Sequence, residues 1–171
     1  NIMNLSLLEA GEIDLIRVDT RLDEVLEEVV MMFKKRWRYR DRAIRMEVNT
    51  GFVLAHCDPD RVREILSHLV DNALRFSPER SEVVVKLENG RADYVQVSVT
   101  DEGMGIETGA FKIIFESFQQ ADSSHTRDYD GLGLGLTLAS GLLRLHDSNL
   151  EFESEVSKGS RFFFELPAVT Q

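Results

Sequence analysis

The chain has 171 residues, of which 43% are hydrophobic and 29% charged, and this is typical of one globular domain with a substantial core. Thirty acidic residues against 20 basic ones give a net charge of −10, which argues against a nucleic-acid backbone as the main partner and favours a bridging cation for any polyphosphate ligand. The single cysteine, Cys57, excludes an internal disulfide and suits a reducing cytoplasm, and no apolar run reaches the ~18 residues of a membrane span.

The N-terminal segment is typical of the end of a helix that Gly11 terminates. Because the chain does not begin with methionine, we expect a fragment of a longer protein and interpret residues 1–17 as the remnant of a preceding module. Apolar residues then recur at helical spacing, with Asp19 or Thr20 as the expected N-cap. The basic segment 34–42 follows, and we interpret it as cations near a helix C-terminus rather than as a nucleic-acid site.

Two short strands are expected next, at 43–50 and 52–57, joined as a hairpin around Gly51. Asp58 and Pro59 are a typical N-cap and first residue of a second helix. The apolar face of that helix is predicted from helical spacing to consist of Val62, Ile65, Leu66, Leu69, Val70 and Ala73.

The rest of the chain is predicted to contain, in order, strands at 82–88 and 94–101, a short helix near 110–118, a polar lid-like segment at 119–130, a helix from about Gly133 to His146, and alternating strands at 149–156 and 160–167. We expect His146 to be a helix-end cation, and Phe162 and Phe164 to lie in the core. This order predicts an α+β fold, a two-layer sandwich whose mixed, mostly antiparallel sheet is covered on one face by helices.

One polar stripe on the second helix is a candidate site. His68, Asn72 and Phe76 lie at i, i+4 and i+8, and Arg75 is adjacent. An amide oxygen is a suitable Mg²⁺ ligand, and arginine beside it suits phosphate. A solvated polar edge of an amphipathic helix is the alternative interpretation.

A second candidate site is the DEGMGI segment at the end of the second central strand. Strand alternation places Asp101 on the same face as the valines before it, towards the helices, where a buried carboxylate requires a donor such as a ligand amino group. Gly103 and Gly105 would allow a flat ligand close to the backbone. The alternative is a turn in which the aspartate caps its own loop.

The third candidate is DGLGLGL, residues 130–136, which lacks the third glycine of a dinucleotide fingerprint and the Gly-Lys-Ser/Thr of a P-loop. Glycines at a helix start expose N–H groups where the helix dipole favours anions, so phosphates are suitable ligands, although a flexible hinge is also consistent. Arg127, just before it, either meets phosphate or faces water.

Taken together and in this order, the three segments resemble the catalytic ATP-binding domain of bacterial sensor histidine kinases, within the ATPase group that also contains gyrase, Hsp90 and MutL. The resemblance extends from about Val18 to Pro167 and rests on segments similar to the N box (REILSHLVDNALRFSPE), the G1 box (DEGMGI), the F box (IFESFQQAD), the G2 box (DGLGLGL) and the closing strands (SEVSKGSRFFFELP). It implies the Bergerat ATP-binding fold for residues 18–171 and a dimerisation-helix remnant for residues 1–17.

The resemblance implies ATP and Mg²⁺ as ligands. Asn72 would be the metal ligand, Arg75 would contact phosphate and Phe76 would line the adenine pocket, while Asp101 would accept a hydrogen bond from the adenine amino group. The implied nucleotide-binding set also contains Gly103, Gly105, Ile106, Arg127, Gly131, Leu132, Gly133, Leu134, Gly135 and Ser160.

His68 departs from the family pattern, because kinases often carry asparagine and related ATPases a catalytic glutamate at its position. We include His68 with Asn72 and Arg75 as catalytic candidates, and the missing glutamate favours a kinase over a hydrolase. Since no histidine here lies in the family's acceptor motif, the phosphorylated histidine is expected upstream of this fragment.

We therefore expect the catalytic domain of a two-component histidine protein kinase in the cytoplasm. Its expected partners are its own dimerisation domain, in a homodimeric parent, and a response regulator; we expect no nucleic acid and no direct membrane contact by this domain, and anchoring of the parent in the inner membrane stays open. The alternatives are a degenerate ATP-binding signalling module without transfer activity and an anti-sigma-type serine kinase, against which the dimerisation-helix remnant argues.

Overall fold

The computed structural model describes residues 2–51, 53–105 and 130–169. Its helices are α1 (Ile2–Glu9), α2 (Leu22–Lys35), α3 (Pro59–Phe76) and α4 (Asp130–Leu145), with a 3-10 turn at Trp37–Tyr39. Its strands are β1 (Val18–Arg21), β2 (Ala43–Asn49), β3 (Leu54–Cys57), β4 (Glu82–Asn89), β5 (Tyr94–Asp101), β6 (Glu151–Glu155) and β7 (Gly159–Pro167). The predicted helix at 110–118 and most of the lid-like segment 119–130 lie outside the described residues.

Five strands form one sheet in the order β2-β4-β5-β7-β6, in which β2 and β4 are parallel and the other neighbours antiparallel. Alternate residues of β7, among them Phe162 and Phe164, are buried on one face, and α3 packs against β4 and β5. The predicted α+β architecture, with a mixed sheet under helices, is confirmed, as is the core position of both phenylalanines. No helix in the described parts of the chain is both long enough and apolar enough to span a membrane.

The hairpin predicted around Gly51 is wrong. β2 pairs in parallel with β4, with Ile44 opposite Val83, whereas β3 pairs with β1 in a separate two-stranded sheet, with Cys57 opposite Val18. Alternating apolar residues define a strand but not its partner, and here each strand has its complementary surface elsewhere in the chain.

The predicted N-cap of α2 is also wrong. Asp19 and Thr20 belong to β1, and the Thr20 hydroxyl donates to the carbonyl of Val18 at 3.0 Å. The N-cap position is held by Arg21, whose side chain makes no capping hydrogen bond, and the backbone N–H of Leu22 donates instead to the carbonyl of Val53 at 2.7 Å. Strand pairing therefore determines where α2 begins.

The two helices that carry the candidate site are anchored to each other at their distant ends. Asp58 caps α3 as predicted, since its Oδ1 accepts from the backbone N–H groups of Asp60 and Arg61 at 3.1 and 3.2 Å. Its own backbone N–H donates to Nε2 of His146 at 3.1 Å, and His146 Nδ1 donates to the carbonyl of Leu142 at 2.8 Å.

The prediction that His146 is a helix-end cation is wrong. Its side chain is buried and burial lowers the pKa of the imidazole. A backbone N–H only donates, so Nε2 is an acceptor and the ring is neutral. The helix itself, α4, begins at Asp130, three residues before the predicted start.

Candidate functional site

The stripe on α3 is not a solvated edge. Asn72 is 5% exposed and His68 is half-buried, with the His68 ring against Gly135 of α4. Phe76 is partly buried and packs against the core, and only Arg75 is exposed. Three of the four sequence-predicted residues, His68, Asn72 and Phe76, therefore lie on the inward-facing side of α3.

Two polar atoms of this stripe have no hydrogen-bond partner within the described parts of the chain. They are Nδ2 of Asn72 and Nε2 of His68, and both are buried. A buried donor or acceptor left unpaired costs about 1–3 kcal/mol, so such groups are rare in folded proteins unless a ligand uses them. Burial also lowers the pKa of His68, which makes its imidazole neutral near pH 7.

The glycine-rich start of α4 lies directly opposite His68. A Cβ at Gly135 would be 3.4 Å from Nδ1 of His68, which is an ordinary van der Waals contact, so the α4 backbone at Gly135 lies close to the His68 ring. Gly131, Leu132, Gly133 and Leu134 form the first turns of the same helix. Of the other predicted phosphate and adenine contacts, Arg127 and Ile106 lie outside the described residues.

Arg75 is engaged with a neighbour on its own helix. Its Nε lies 3.1 Å from Oδ2 of Asp71, and Oδ1 of Asp71 accepts from the hydroxyl of Tyr39 at 3.0 Å. The i,i+4 spacing of Asp71 and Arg75 was a sequence signal for this pair, whereas no local pattern indicates Tyr39. Arg75 would have to exchange Asp71 for phosphate in order to contact a nucleotide.

Asp101 is both an inward-facing carboxylate and the cap of its own turn, so both interpretations of its segment apply. It is 8% exposed on the buried face of β5, and its Oδ1 also accepts from the backbone N–H of Gly103 at 2.8 Å. Burial raises the pKa of Asp101 to about 6, against the opposing effect of backbone hydrogen bonds from Gly103 and Ser160. The carboxylate is thus inward-facing, and these two backbone N–H groups compensate only part of its desolvation.

The glycines after Asp101 are required by backbone packing. A Cβ at Gly103 would collide with the carbonyl oxygen of Phe76 at the end of α3. Gly105 has φ +73°, a conformation that favours glycine, and a Cβ there would collide with the carbonyl of Glu155. The loop after β5 therefore packs closely against the end of α3 and the end of β6. Its contact with a flat ligand stays a prediction.

Ser160 lies beside Asp101, because the two residues are directly opposite in the β5–β7 register. Its hydroxyl is buried and lies 2.8 Å from the hydroxyl of Ser154. The structure therefore brings together His68 with Gly135, Phe76 with Gly103, and Asp101 with Ser160.

The donor set suits a metal that is held mainly by its ligand's phosphates. The described residues contain no group of three or more His, Cys, Asp or Glu side chains that could hold a metal ion by themselves. Mg²⁺ is typically bound by one or two protein oxygens together with phosphates and waters, and the side-chain oxygen Oδ1 of the buried Asn72 is a ligand of that kind.

A comparison with family models finds the histidine kinase-, DNA gyrase B- and HSP90-like ATPase family over residues 57–170. Among curated proteins, the autoinducer 2 sensor kinase/phosphatase LuxQ of Vibrio vulnificus is 32% identical over 98% of this chain and 20% of LuxQ. The circadian input-output histidine kinase CikA of Synechococcus elongatus is 32% identical over 99% of this chain and 23% of CikA. The chain thus spans about a fifth of the length of these curated relatives.

Solved structures show the same fold. Full-length ShkA in complex with AMPPNP superposes with a TM-score of 0.83 at 27% identity, over 99% of this chain and 35% of that one. The nucleotide-free catalytic domain of the histidine kinase ThkA superposes with a TM-score of 0.74 at 24% identity, over 90% of this chain and 96% of that one.

Proposed function

This chain belongs to the histidine kinase-, DNA gyrase B- and HSP90-like ATPase family and is of the sensor-histidine-kinase type, and from that premise we propose which residues bind ATP and what the parent protein does with it. ATP would lie between α3, the start of α4 and the loop after β5. Its γ-phosphoryl group would pass to a histidine on a dimerisation domain outside residues 1–171.

The observation that carries this proposal is that two buried polar atoms on α3, Nδ2 of Asn72 and Nε2 of His68, have no partner among the described residues, while the His68 ring lies beside Gly135 of α4. Asn72 would hold Mg²⁺, which when bound neutralises phosphate charge. In a chain of net charge −10 such a cation is needed to bind a triphosphate.

The other residues would position the nucleotide. The ionised carboxylate of Asp101 would accept from the adenine amino group, with Ser160 beside it and Phe76 lining the base pocket. Arg75 would leave Asp71 to contact phosphate, and the backbone of Gly131, Gly133 and Gly135 would approach the phosphates without side chains in between. Ile106, Arg127, Leu132 and Leu134 complete the proposed set.

In the transfer, the bond between the β,γ-bridging oxygen and the γ-phosphorus breaks, a phosphorus–nitrogen bond forms with the acceptor imidazole, and ADP leaves. This step depends mainly on positioning and on charge neutralisation. His68 is neutral, and the family's glutamate base is absent at its position, which supports transfer to a protein over hydrolysis by activated water.

Asn72→Ala tests the site. Removing an unpaired buried amide should leave the melting temperature unchanged or higher, whereas the Mg²⁺-dependent affinity for ATP should fall at least about tenfold. Calorimetric titration of ATP with and without Mg²⁺ measures the loss, and Asn89→Ala, at an exposed asparagine, is the matched control. Unchanged Mg-ATP binding by the Asn72 variant would refute the assignment.

We also propose that the parent is a homodimeric kinase in the cytoplasm, whether or not it is anchored in the membrane, and that it acts with a response regulator. The isolated chain should bind Mg-ATP without phosphorylating itself. Joining it to the upstream dimerisation domain should yield an acid-labile phosphohistidine. ATP binding without that product would instead indicate a degenerate signalling module, and an acid-stable phosphoprotein would indicate a serine kinase.

A further inference from the structure

A surface at the end of α2 differs in character from the rest of the molecule. We call it the Trp37 surface, and it consists of the exposed residues Lys34, Lys35, Arg36, Trp37, Arg38 and Arg40. Trp37 is the single tryptophan of the chain and its side chain is 87% exposed. A large aromatic side chain in water forgoes the stabilisation that burial would give it, and such residues are enriched at binding hot spots.

The cations of the Trp37 surface are not neutralised by the fold. Within the described parts of the chain, none of its basic side chains forms an ion pair with an acid, although Arg36 stacks on Phe33 at 4.5 Å. Elsewhere the basic residues that pair with acids are Arg17, Arg21, Arg45, Arg61, Arg63, Arg75, Lys86, Arg91, Lys158 and Arg161. The basic residues of the Trp37 surface are therefore available to pair with acidic groups of another molecule.

A cleft of about 820 Å³ opens beside the Trp37 surface, between the 3-10 turn and the end of α3. Four arginines line it (Arg38, Arg42, Arg75 and Arg80), against two acids, Asp41 and Glu79. The Arg42 side chain in this cleft is held in place, because its Nη1 donates to the carbonyl of Leu74 at 2.6 Å and its Nη2 donates to the hydroxyl of Ser77 at 2.6 Å. The cleft and the surface together present a concave, positively charged area with an aromatic anchor at its edge.

We propose that the Trp37 surface and its cleft are a docking site for an acidic face of a partner protein. A protein contact senses charges within a Debye length of about 8 Å, so this local excess of cations decides the interaction. An extended polyanion, such as a membrane surface or a nucleic acid, would also meet the remainder of a chain whose net charge is −10 and would be repelled by it.

The docking site adjoins the proposed nucleotide site and shares two residues with it. Arg75 and Phe76 line the cleft, so a docked partner would lie next to the phosphate side of α3. The residues of the Trp37 surface itself have no role in the proposed binding of ATP, which makes them suitable for substitution.

A fluorescein-labelled L-glutamate peptide of about six residues, short enough to contact only the surface and its cleft, serves as the probe, and its fluorescence anisotropy measures binding to the full chain. Lys35→Gln/Arg38→Gln/Arg40→Gln should weaken binding roughly tenfold, since three exposed charge contacts are lost. Trp37→Ala should weaken it several-fold and Trp37→Phe should restore most of the loss. The matched control, Arg45→Gln/Lys86→Gln/Arg91→Gln, removes three paired cations and should change the affinity less than twofold.

Equal loss in the two triple variants would overturn the proposal, because it would show attraction to cations in general. Tighter binding to phosphatidylglycerol vesicles or to duplex DNA than to the short glutamate peptide would overturn it in favour of an extended polyanion. Mg-ATP titration of the same variants should match the wild type. A wild-type chain that fails to bind ATP would count against the proposed function alone.

Discussion

At the scale of single residues, Asp101 is the clearest conflict between stability and binding. Its carboxyl is buried, and among the described residues it forms no ion pair, so its charge is stabilised only by backbone N–H groups. A fold that needed this residue only to cap the turn at Gly103 would be served as well by asparagine. The ionisable group is therefore retained at a cost that a ligand donor would offset.

The pKa of Asp101 has a consequence for stability against pH. The Asp101 carboxyl has a pKa of about 6 in the folded protein, against 3.8 for an ordinary aspartate such as that of the unfolded chain. Between pH 4 and 6 the folded state therefore binds more protons than the unfolded state. Its contribution to the free energy of unfolding is full below pH 4 and is lost as the pH rises through 6. Asp101→Asn should therefore be more stable than the wild type by about 1–3 kcal/mol at pH 7.5, with the difference vanishing towards pH 4.

Urea denaturation across pH 4–8 measures this difference. A gap between variant and wild type that does not change with pH would contradict the raised pKa. The same variant should bind ATP at least about tenfold more weakly at pH 7.5, because the neutral amide offers a weaker acceptor to the adenine amino group.

At the scale of the elements, Asp58 joins three segments. Its Oδ1 caps α3, its Oδ2 accepts from the backbone N–H of Ile16 at 2.9 Å, and its N–H donates to His146 after α4. Arg17 adds a hydrogen bond to the carbonyl of Leu145 at 2.5 Å, which satisfies the C-terminus of α4. The ends of α3 and α4 that lie away from the site are thus tied to the segment before β1.

Substitution of Asp58 separates these contributions. Asp58→Ala should lower the free energy of unfolding by about 2–3 kcal/mol, since both the cap and the Ile16 hydrogen bond are lost. Asp58→Asn should lose about 1 kcal/mol, because asparagine keeps the cap through its single acceptor oxygen while its NH2 group cannot accept from the N–H of Ile16. Chemical denaturation at pH 7 distinguishes the two variants, and an equal loss in both would show that the cap itself contributes nothing.

The contact of α1 with α4 depends on one missing side chain. A Cβ at Gly141 would press on the Leu8 side chain, 3.1 Å from Cδ1 and nearer still to Cδ2. Replacing glycine by alanine inside a helix normally raises the free energy of unfolding by ~1 kcal/mol. Gly141→Ala should not give this increase in the wild type, because of the contact with Leu8, but should give it in a Leu8→Ala background. A double-mutant cycle measured by urea denaturation should give a coupling energy of about 1 kcal/mol, and additive effects would contradict the packing.

At the scale of the whole molecule, the boundary at residue 17 stays a proposal that truncation can test. Ile13 is part of the core, and Ile16 and Arg17 make the hydrogen bonds described above. A chain beginning at residue 18 should be about 3 kcal/mol less stable than one beginning at residue 12, since it loses a buried isoleucine and two hydrogen bonds. Equal stability of the two chains would place the boundary at residue 17.

Periodic sequence signals predicted most of the fold because they report local structure. The amphipathic faces of α2 and α3, the Asp58 cap and the alternation in β4, β5 and β7 are each specified by neighbouring residues. The alternation of side chains along β5 was enough to place Asp101 on the buried face of the strand. The hairpin failed because strand pairing depends on complementary surfaces that are distant in sequence.

The sequence by itself determined the family and the inward direction of Asp101, since both are encoded in residue identity and spacing. Only the tertiary structure decided that β2 joins β4 in parallel, that His146 is neutral, and that Arg75 pairs with Asp71 beside Tyr39. Those properties depend on which groups meet after folding, because burial and hydrogen bonding set the charge state and partner of a side chain, and no local pattern carries that information.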